Sequence, residues 1–184
     1  MASSLSMGNS NQGTLQSPGL YDVWILGELS TDTAVSGEIS SVTKDSDGNI
    51  TAINGTGTWY KFQCTATSGQ FVEAGTKDAQ GREVNQQLTY RFVGMTQAQR
   101  NTIEDLALQS RLKIVGSLRG SKNAFLFGEE NGMDLLTDNF DTGVGGGGAG
   151  AIGTNVVFQG NELSKANALL TSLSTTAQSP MTVE

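Results

Sequence analysis

The sequence predicts a mainly β protein, an antiparallel β-sandwich or barrel with one α-helix at about residues 96–110, placed between strands. Three observations predict this class. Short runs of alternating apolar and polar residues recur along the chain, residues that favour turns separate them, and only one segment has helical spacing. These elements lack the strand–helix–strand rhythm of a parallel sheet.

The predicted strands are joined by turns of recognisable chemistry. Asp47-Gly48 lies between two of them, and this dipeptide supplies the positive φ that a tight hairpin requires. Val84, Leu88, Tyr90 and Phe92 fall on alternate positions, so one face of their strand is apolar. The predicted strands are residues 21–29, 39–43, 50–53, 58–67, 83–93, 111–118, 124–127, 133–136 and, as the last of them, 154–163.

The predicted helix begins at a recognisable cap. Thr96 is a suitable N-cap residue, and Gln99, three residues later, completes a capping-box pattern. A single moderately apolar stripe predicts that the helix lies across a sheet and does not form a bundle. The residues that share this stripe are Ile103, Leu106, Ala107 and Ser110.

Composition divides the chain into one domain and two polar arms. Residues 1–18 and 164–184 are rich in small polar side chains, and we interpret them as N-terminal and C-terminal arms. The β domain spans residues 19–163. Within it, residues 68–83 form either a long loop or the tip of a long hairpin, and residues 141–153 form a glycine-rich loop.

The composition limits the chemistry that is available. The 184 residues carry a net charge of −7 and include 24 glycines, one cysteine and no histidine. Without histidine, Ser-His-Asp and Cys-His catalysis and histidine-ligated metals are excluded, and Cys64 is interpreted as a packed thiol. We therefore expect no enzymatic activity, no cofactor, no metal and no catalytic residue. The excess of acidic over basic residues also argues against tight binding of phosphate groups.

Three motifs suggest chemistry but have simpler interpretations. Residues 143–148 match G-x-G-x-x-G formally, yet four consecutive glycines satisfy that pattern by chance, and we expect a loop. Residues 45–49 (DSDGN) hint at a calcium loop, but the glycine is two positions early, which favours a hairpin turn. Glu129, Glu130 and Asp134 form the densest carboxylate cluster, which we interpret as a solvated turn or as donors of salt bridges between subunits.

The aromatic and basic residues leave alternatives open. Trp24, Trp59 and Tyr60 could form an exposed sugar-binding platform, but their places within strand runs favour the core. One group of cations could form a basic stripe facing an acidic neighbour or could belong to an ordinary surface: Arg91, Arg100, Arg111, Lys113, Arg119 and Lys122. No apolar run reaches the roughly 18 residues of a membrane span, so we expect no membrane partner.

The order of elements resembles the tail-tube family of tailed bacteriophages and the ring-forming tail or neck proteins of phages that infect Bacteroidota. Three segments carry the resemblance: residues 95–112, 125–135 (FLFGEENGMDL) and 157–162 (VFQGNE). The glycine-rich loop departs from the family pattern. It leaves open whether the chain belongs to the main tube or to a specialised ring.

The resemblance implies a virion structural protein of the tail or neck, assembled in the host bacterial cytoplasm. Copies would form hexameric or higher rings that contact other tail or neck proteins and let DNA pass without specific binding.

The alternative is a capsid decoration protein or a carbohydrate-binding sandwich, and a hydrolase using Glu129, Glu130 or Asp134 is a third hypothesis. The contacts between subunits implied by the position of the long loop, together with the carboxylate turn, are Phe71, Val72, Lys77, Arg82, Glu129 and Glu130.

Overall fold

A computed structural model describes residues 19–27, 38–56, 58–63, 69–77, 81–93, 96–118, 124–141 and 153–169. The described chain contains eleven strands and one helix. In chain order these are β1 (Leu20–Gly27), β2 (Glu38–Lys44), β3 (Ile50–Thr56), β4 (Thr58–Gln63), β5 (Gly69–Lys77), β6 (Arg82–Val93), α1 (Gln97–Leu108), β7 (Lys113–Leu118), β8 (Ala124–Phe127), β9 (Asp134–Asp141), β10 (Gly153–Glu162) and β11 (Asn167–Leu169).

The strands form two sheets, which confirms the mainly β sandwich. The first sheet has seven strands in the order β2-β3-β11-β8-β7-β1-β4, and the second has four in the order β5-β6-β10-β9. All pairs are antiparallel except β3 with β11, which meet in parallel through Ile50 and Leu169. The barrel alternative is wrong for the described strands, since they form two separate sheets with no closure.

The main core lies between the two sheets and the helix. Ile103 and Leu106 of α1 contribute to it together with Tyr90 of β6 and Phe158 of β10. The predicted helical stripe is only half right, because Ala107 and Ser110 are exposed. Ile103 and Leu106, three residues apart, are the buried apolar side chains among the residues of α1 whose side chains are described.

The seven-stranded sheet is apolar on both faces. Along β1, Val23 and Ile25 enter the main core, whereas Trp24 and Leu26 point to the opposite face because side chains alternate along a strand. That opposite face holds a second buried cluster, against which the β2–β3 hairpin packs Ile39, Val42 and Ile53. The members of the second cluster are Trp24, Leu26, Ile50, Trp59, Val115, Ala124, Leu126 and Leu169.

Two predicted segments take a different structure. Residues 69–77 of the predicted loop or hairpin tip are strand β5, which pairs with β6 from Gly69 opposite Tyr90 to Lys77 opposite Arg82. The 154–163 strand is not the last one, because β11 follows it inside the predicted C-terminal arm. β11 pairs with β8 and fills the position between β3 and β8, so the beginning of that arm belongs to the sheet.

The β2–β3 turn confirms the hairpin prediction and shows how its carboxylate is used. Asp45 Oδ1 accepts hydrogen bonds from the backbone N–H groups of Asp47 and Asn49 at 2.9 and 2.8 Å. The hydrogen bond from the Asn49 side chain lowers the pKa of Asp45 below its usual 3.8. Gly48 has a φ of +87°. This carboxylate therefore stabilises the hairpin at neutral pH, and the contribution disappears as the pH falls from 3.8 through the lowered pKa.

Some predicted features lie outside the described residues. They are the 1–18 arm, Cys64, residues 142–152 of the glycine-rich loop, residues 170–184, and the cations Arg119 and Lys122.

A matched pair of glycines tests how tightly the turn between β8 and β9 is packed. Gly132 and Gly48 share a φ of +87°, but a Cβ on Gly132 would lie 2.4 Å from the Arg111 Cα, whereas a Cβ on Gly48 meets nothing within 4 Å. We expect Gly48→Ala to lower the free energy of unfolding by about 1–2 kcal/mol, the cost of a left-handed residue. Gly132→Ala should lower it by about 3 kcal/mol or more. Urea unfolding measures both, and equal losses would contradict the tight packing.

Candidate functional site

Residues 128–132 (GEENG), called the 128–132 turn below, connect β8 to β9 and are held by one buried carboxylate. Glu162, at the end of β10, is only 2% exposed. Its Oε1 accepts the backbone N–H groups of Asn131 and Gly132 at 2.9 and 3.0 Å, and its Oε2 accepts that of Glu130 at 3.0 Å. Three N–H donors offset much of the cost of burying the charge. The seven-stranded and four-stranded sheets are thereby joined through a side chain.

A lysine contacts the carbonyl groups of the same turn. Lys113 Nζ donates to the backbone oxygens of Glu129 and Glu130 at 3.1 and 3.2 Å. Burial lowers the pKa of Lys113 below its usual 10.5, and the nearby Glu162 carboxylate acts in the opposite direction. Because the unfolded chain then holds this proton more tightly, the contribution of Lys113 to stability rises as the pH increases from the lowered pKa to 10.5.

The predicted carboxylate cluster divides into residues with different surroundings. Glu129 forms a salt bridge with Lys44 at 2.6 Å and accepts a hydrogen bond from the Asn167 amide at 2.7 Å, so it links the turn to β2 and β11. Asp134 accepts the backbone N–H of Arg111 at 2.9 Å. Glu130 has an exposed side chain and stays a predicted contact between subunits. The three carboxylates therefore do not converge on a common site.

A buried amide on β6 extends this polar network into the four-stranded sheet. Gln86 Oε1 accepts the Gly128 N–H at 3.0 Å, and its Nε2 donates to the Ser164 carbonyl at 3.3 Å. Gln86 Nε2 also reaches Glu73 Oε1 on β5, which accepts the Ala166 N–H. Sequence reasoning missed Gln86, although the signal was present: a polar residue at an inward position of a strand that is otherwise apolar on that face.

The outward face of the four-stranded sheet is mostly amide and hydroxyl side chains, with the charged residues Glu83, Arg91 and Asp134 at its borders, and we call it the amide face. Asn85 and Asn161 lie opposite each other there, with a 2.7 Å hydrogen bond between their side chains. Between Glu83 and Arg91, the outward positions of the central strands β6 and β10 hold no charged residue. The amide and hydroxyl side chains of this face are Gln70, Thr76, Asn85, Gln87, Thr89, Thr137, Asn139, Asn155, Gln159 and Asn161.

The predicted contact residues of the long loop occupy different places on the β5–β6 hairpin. Phe71 points inward and packs on Phe127 with ring centroids 4.3 Å apart, so it is part of the interior. Val72, the next residue, points outward and is exposed. Lys77 and Arg82 lie opposite each other at the far end of the hairpin and are also exposed.

Two edges of the four-stranded sheet are open within the described chain, because no described strand pairs with the outer side of β5 or β9. An edge strand offers unpaired N–H and C=O groups to another chain. The β9 edge also carries exposed Leu136 and Phe140. Arg100 of α1 lies over the Phe140 ring, 4.8 Å from its centroid. Sequence reasoning missed this edge because it placed the end of the strand at Leu136.

The tryptophans do not form an exposed platform. Trp24 and Trp59 are buried in the second apolar cluster, and Tyr60 is half-buried. Lys61 lies over the Trp24 ring at 5.5 Å and forms a 2.9 Å salt bridge with Asp22. The surface that the carbohydrate-binding alternative requires is therefore absent from these residues.

The described residues contain no grouping of three or more acidic, histidine or cysteine side chains that could hold a metal ion. An open cleft of about 210 Å³ lies beside the hairpin end and the 128–132 turn. Glu162 contributes to its lining, and the carboxylate of this residue is already hydrogen-bonded to the turn. The cleft is lined by Gly81, Arg82, Glu83, Asn131, Asn161, Glu162 and Leu163.

Replacing the buried carboxylate tests its role. Glu162→Gln keeps the shape but leaves an amide group facing one backbone N–H, so we expect the free energy of unfolding to fall by about 2–3 kcal/mol. Glu83→Gln, a change at an exposed position, is the control and should stay within about 0.5 kcal/mol. Urea denaturation measures both variants. Equal stability of the two would show that the 128–132 turn does not depend on this charge.

Comparisons of the chain with protein-family models, curated proteins and solved structures found no match. Among the described residues, no helix has the length and apolar character needed to cross a membrane.

Proposed function

We propose that this protein is a virion structural subunit whose copies assemble into a ring or tube of a phage tail or neck, through which DNA passes. The observation that carries the proposal is the four-stranded sheet, which combines two open edges with the amide face. Open edges support assembly from identical copies, because each edge can accept a strand from a neighbour. Other tail or neck proteins would bind the ends of the assembly.

The character of the amide face supports a lining for the conduit. Strong retention of DNA requires lysine and arginine side chains that neutralise phosphates. The outward positions of β6 and β10 between Glu83 and Arg91 are amides, a hydroxyl and one valine, so this part of the surface has little charge with which to hold DNA. The net charge of −7 adds a repulsive field around the assembly. Both features favour the passage of DNA through the assembly without adhesion to its lining.

The test combines electron microscopy with a DNA-retention measurement. Purified protein should form rings with a central opening, and these rings should not retain duplex DNA at low salt. Gln87→Lys combined with Gln159→Lys adds two cations per subunit to the middle of the amide face, where these residues lie opposite each other. Rings of this variant should retain linear duplex DNA, release it as the salt concentration rises, and fail to retain closed circular duplex, which cannot thread through a ring.

The matched control places the same charges elsewhere. Ser40→Lys combined with Ala52→Lys changes two exposed residues of the β2–β3 hairpin and should leave linear DNA unbound. If the control retains DNA as strongly, or if closed circular DNA binds as well as linear DNA, the amide face does not line a conduit. A wild-type protein that stays monomeric at high concentration would contradict assembly itself.

A further inference from the structure

We propose that Lys44 and Asn167 form an isopeptide bond, with Glu129 as the proton carrier, so that strands β2 and β11 become joined covalently through their side chains. The bond would link Lys44 Nζ to Asn167 Cγ and release ammonia. This modification site lies within one copy of the chain, so it is independent of the proposed function. The contacts of the three side chains with one another carry the inference.

One carboxylate holds both reacting groups. Lys44 Nζ lies 2.6 Å from Glu129 Oε1, and the side-chain amide of Asn167 donates to Glu129 Oε2 at 2.7 Å. The amine and the amide therefore occupy the two oxygens of the same carboxyl group. Two residues that are distant in sequence thus become neighbours, and a reaction between held neighbours has a much lower entropic barrier than an encounter in solution.

Strand pairing brings Lys44 and Asn167 to nearly the same level of the seven-stranded sheet. β3 lies between β2 and β11, and Ile50 of β3 has Lys44 opposite it on one side and Leu169 on the other. Asn167 lies two residues before Leu169 and is therefore on the same face of β11. The long lysine side chain crosses β3 and meets Glu129. The fold itself, and not a flexible loop, holds the two residues together.

The strand neighbours of both residues are buried apolar side chains. Ile50, opposite Lys44, and Leu126, opposite Asn167, are 1% and 0% exposed. The Glu129 side chain is 16% exposed, and that of Lys44 is 35% exposed. An apolar floor limits the water that competes with the amine for the Asn167 amide, and it strengthens the electrostatic interactions of the carboxylate. The open side leaves a path by which ammonia can depart.

The reaction balances with these three groups alone. Lys44 Nζ gives its ammonium proton to Glu129, and the neutral amine forms a bond to Asn167 Cγ. Glu129 then passes the proton to Nδ2, the Cγ–Nδ2 bond breaks, and ammonia leaves. The new amide nitrogen returns its surplus proton to Glu129, from which ammonia or water removes it. Glu129 thus acts first as a general base and then as a general acid, and the step requires no co-reactant.

Intact-mass spectrometry tests the bond directly. After incubation at mildly alkaline pH, which favours a neutral amine, the wild-type chain should be lighter than its sequence mass by one ammonia molecule. Trypsin should then leave residues 1–61 joined to residues 166–184, because a modified Lys44 is not cleaved. Fragmentation of this branched peptide locates the bond.

Three variants each remove one reacting group. Lys44→Arg keeps a positive charge for the ion pair with Glu129, but its guanidinium stays protonated and does not attack an amide. Glu129→Gln removes the proton carrier, and Asn167→Ala removes the group that is attacked. Each should keep its full mass and give no branched peptide. Lys165→Arg, a change at an exposed lysine two residues from Asn167, is the matched control and should lose ammonia as the wild type does.

Several results overturn the inference. A wild-type chain that keeps its full mass after prolonged incubation shows that no bond forms, and a branched peptide in Glu129→Gln removes the proton carrier. Cyclisation of Asn131 onto the Gly132 N–H also releases ammonia, so an equal loss in Lys44→Arg without a branched peptide assigns the reaction to that turn. Far-UV circular dichroism checks that the variants fold, and the wild-type mass is decisive without them.

Discussion

The contact between the Glu162 carboxylate and the backbone of the 128–132 turn fixes the connection between the two sheets against the end of β10. It satisfies three adjacent N–H groups that the tight turn cannot pair internally. Lys113 donates hydrogen bonds to the carbonyl groups of Glu129 and Glu130 in this turn. Gln86 accepts a hydrogen bond from the N–H of Gly128, the first residue of the turn. Because the Glu162 carboxylate and the Gln86 amide both have partners, their low-dielectric surroundings strengthen these hydrogen bonds.

The network also determines which surfaces remain free. Glu129, Glu73 and Gln86 have partners inside the subunit, and so they fix β11 and the residues before it against the domain. The seven-stranded sheet is covered by apolar packing on both faces. Among the described strands, β5 and β9 of the four-stranded sheet each have one side without a strand partner, as do β2 and β4 of the seven-stranded sheet. The proposed assembly and the proposed lining of a conduit both use the four-stranded layer of the sandwich.

The sequence predicted the elements that depend on local pattern. Alternation placed Val84, Leu88 and Tyr90 on the inward face, and Asp-Gly marked the first hairpin, because both signals act within a few residues. The partner of Glu162 lies thirty residues away, and no local pattern identifies a carboxylate that will bind a distant backbone. β5 was missed because neither of its faces shows a continuous apolar pattern, and its strand character depends on pairing with β6. β11 was missed because a strand of three residues is too short to show an alternation of apolar and polar side chains.

The position of β11 sets the order in which the protein can fold. The β2–β3 hairpin can form from about twenty consecutive residues soon after they are synthesised, since its contacts are local. Among the described strands, it joins its sheet through β11, which is more than a hundred residues further along the chain. Until residues 167–169 have left the ribosome, the open sides of β3 and β8 are both available to other strands. Completion of the larger sheet is therefore a late, long-range step, and a nascent chain that waits for it is exposed to mispairing with its neighbours.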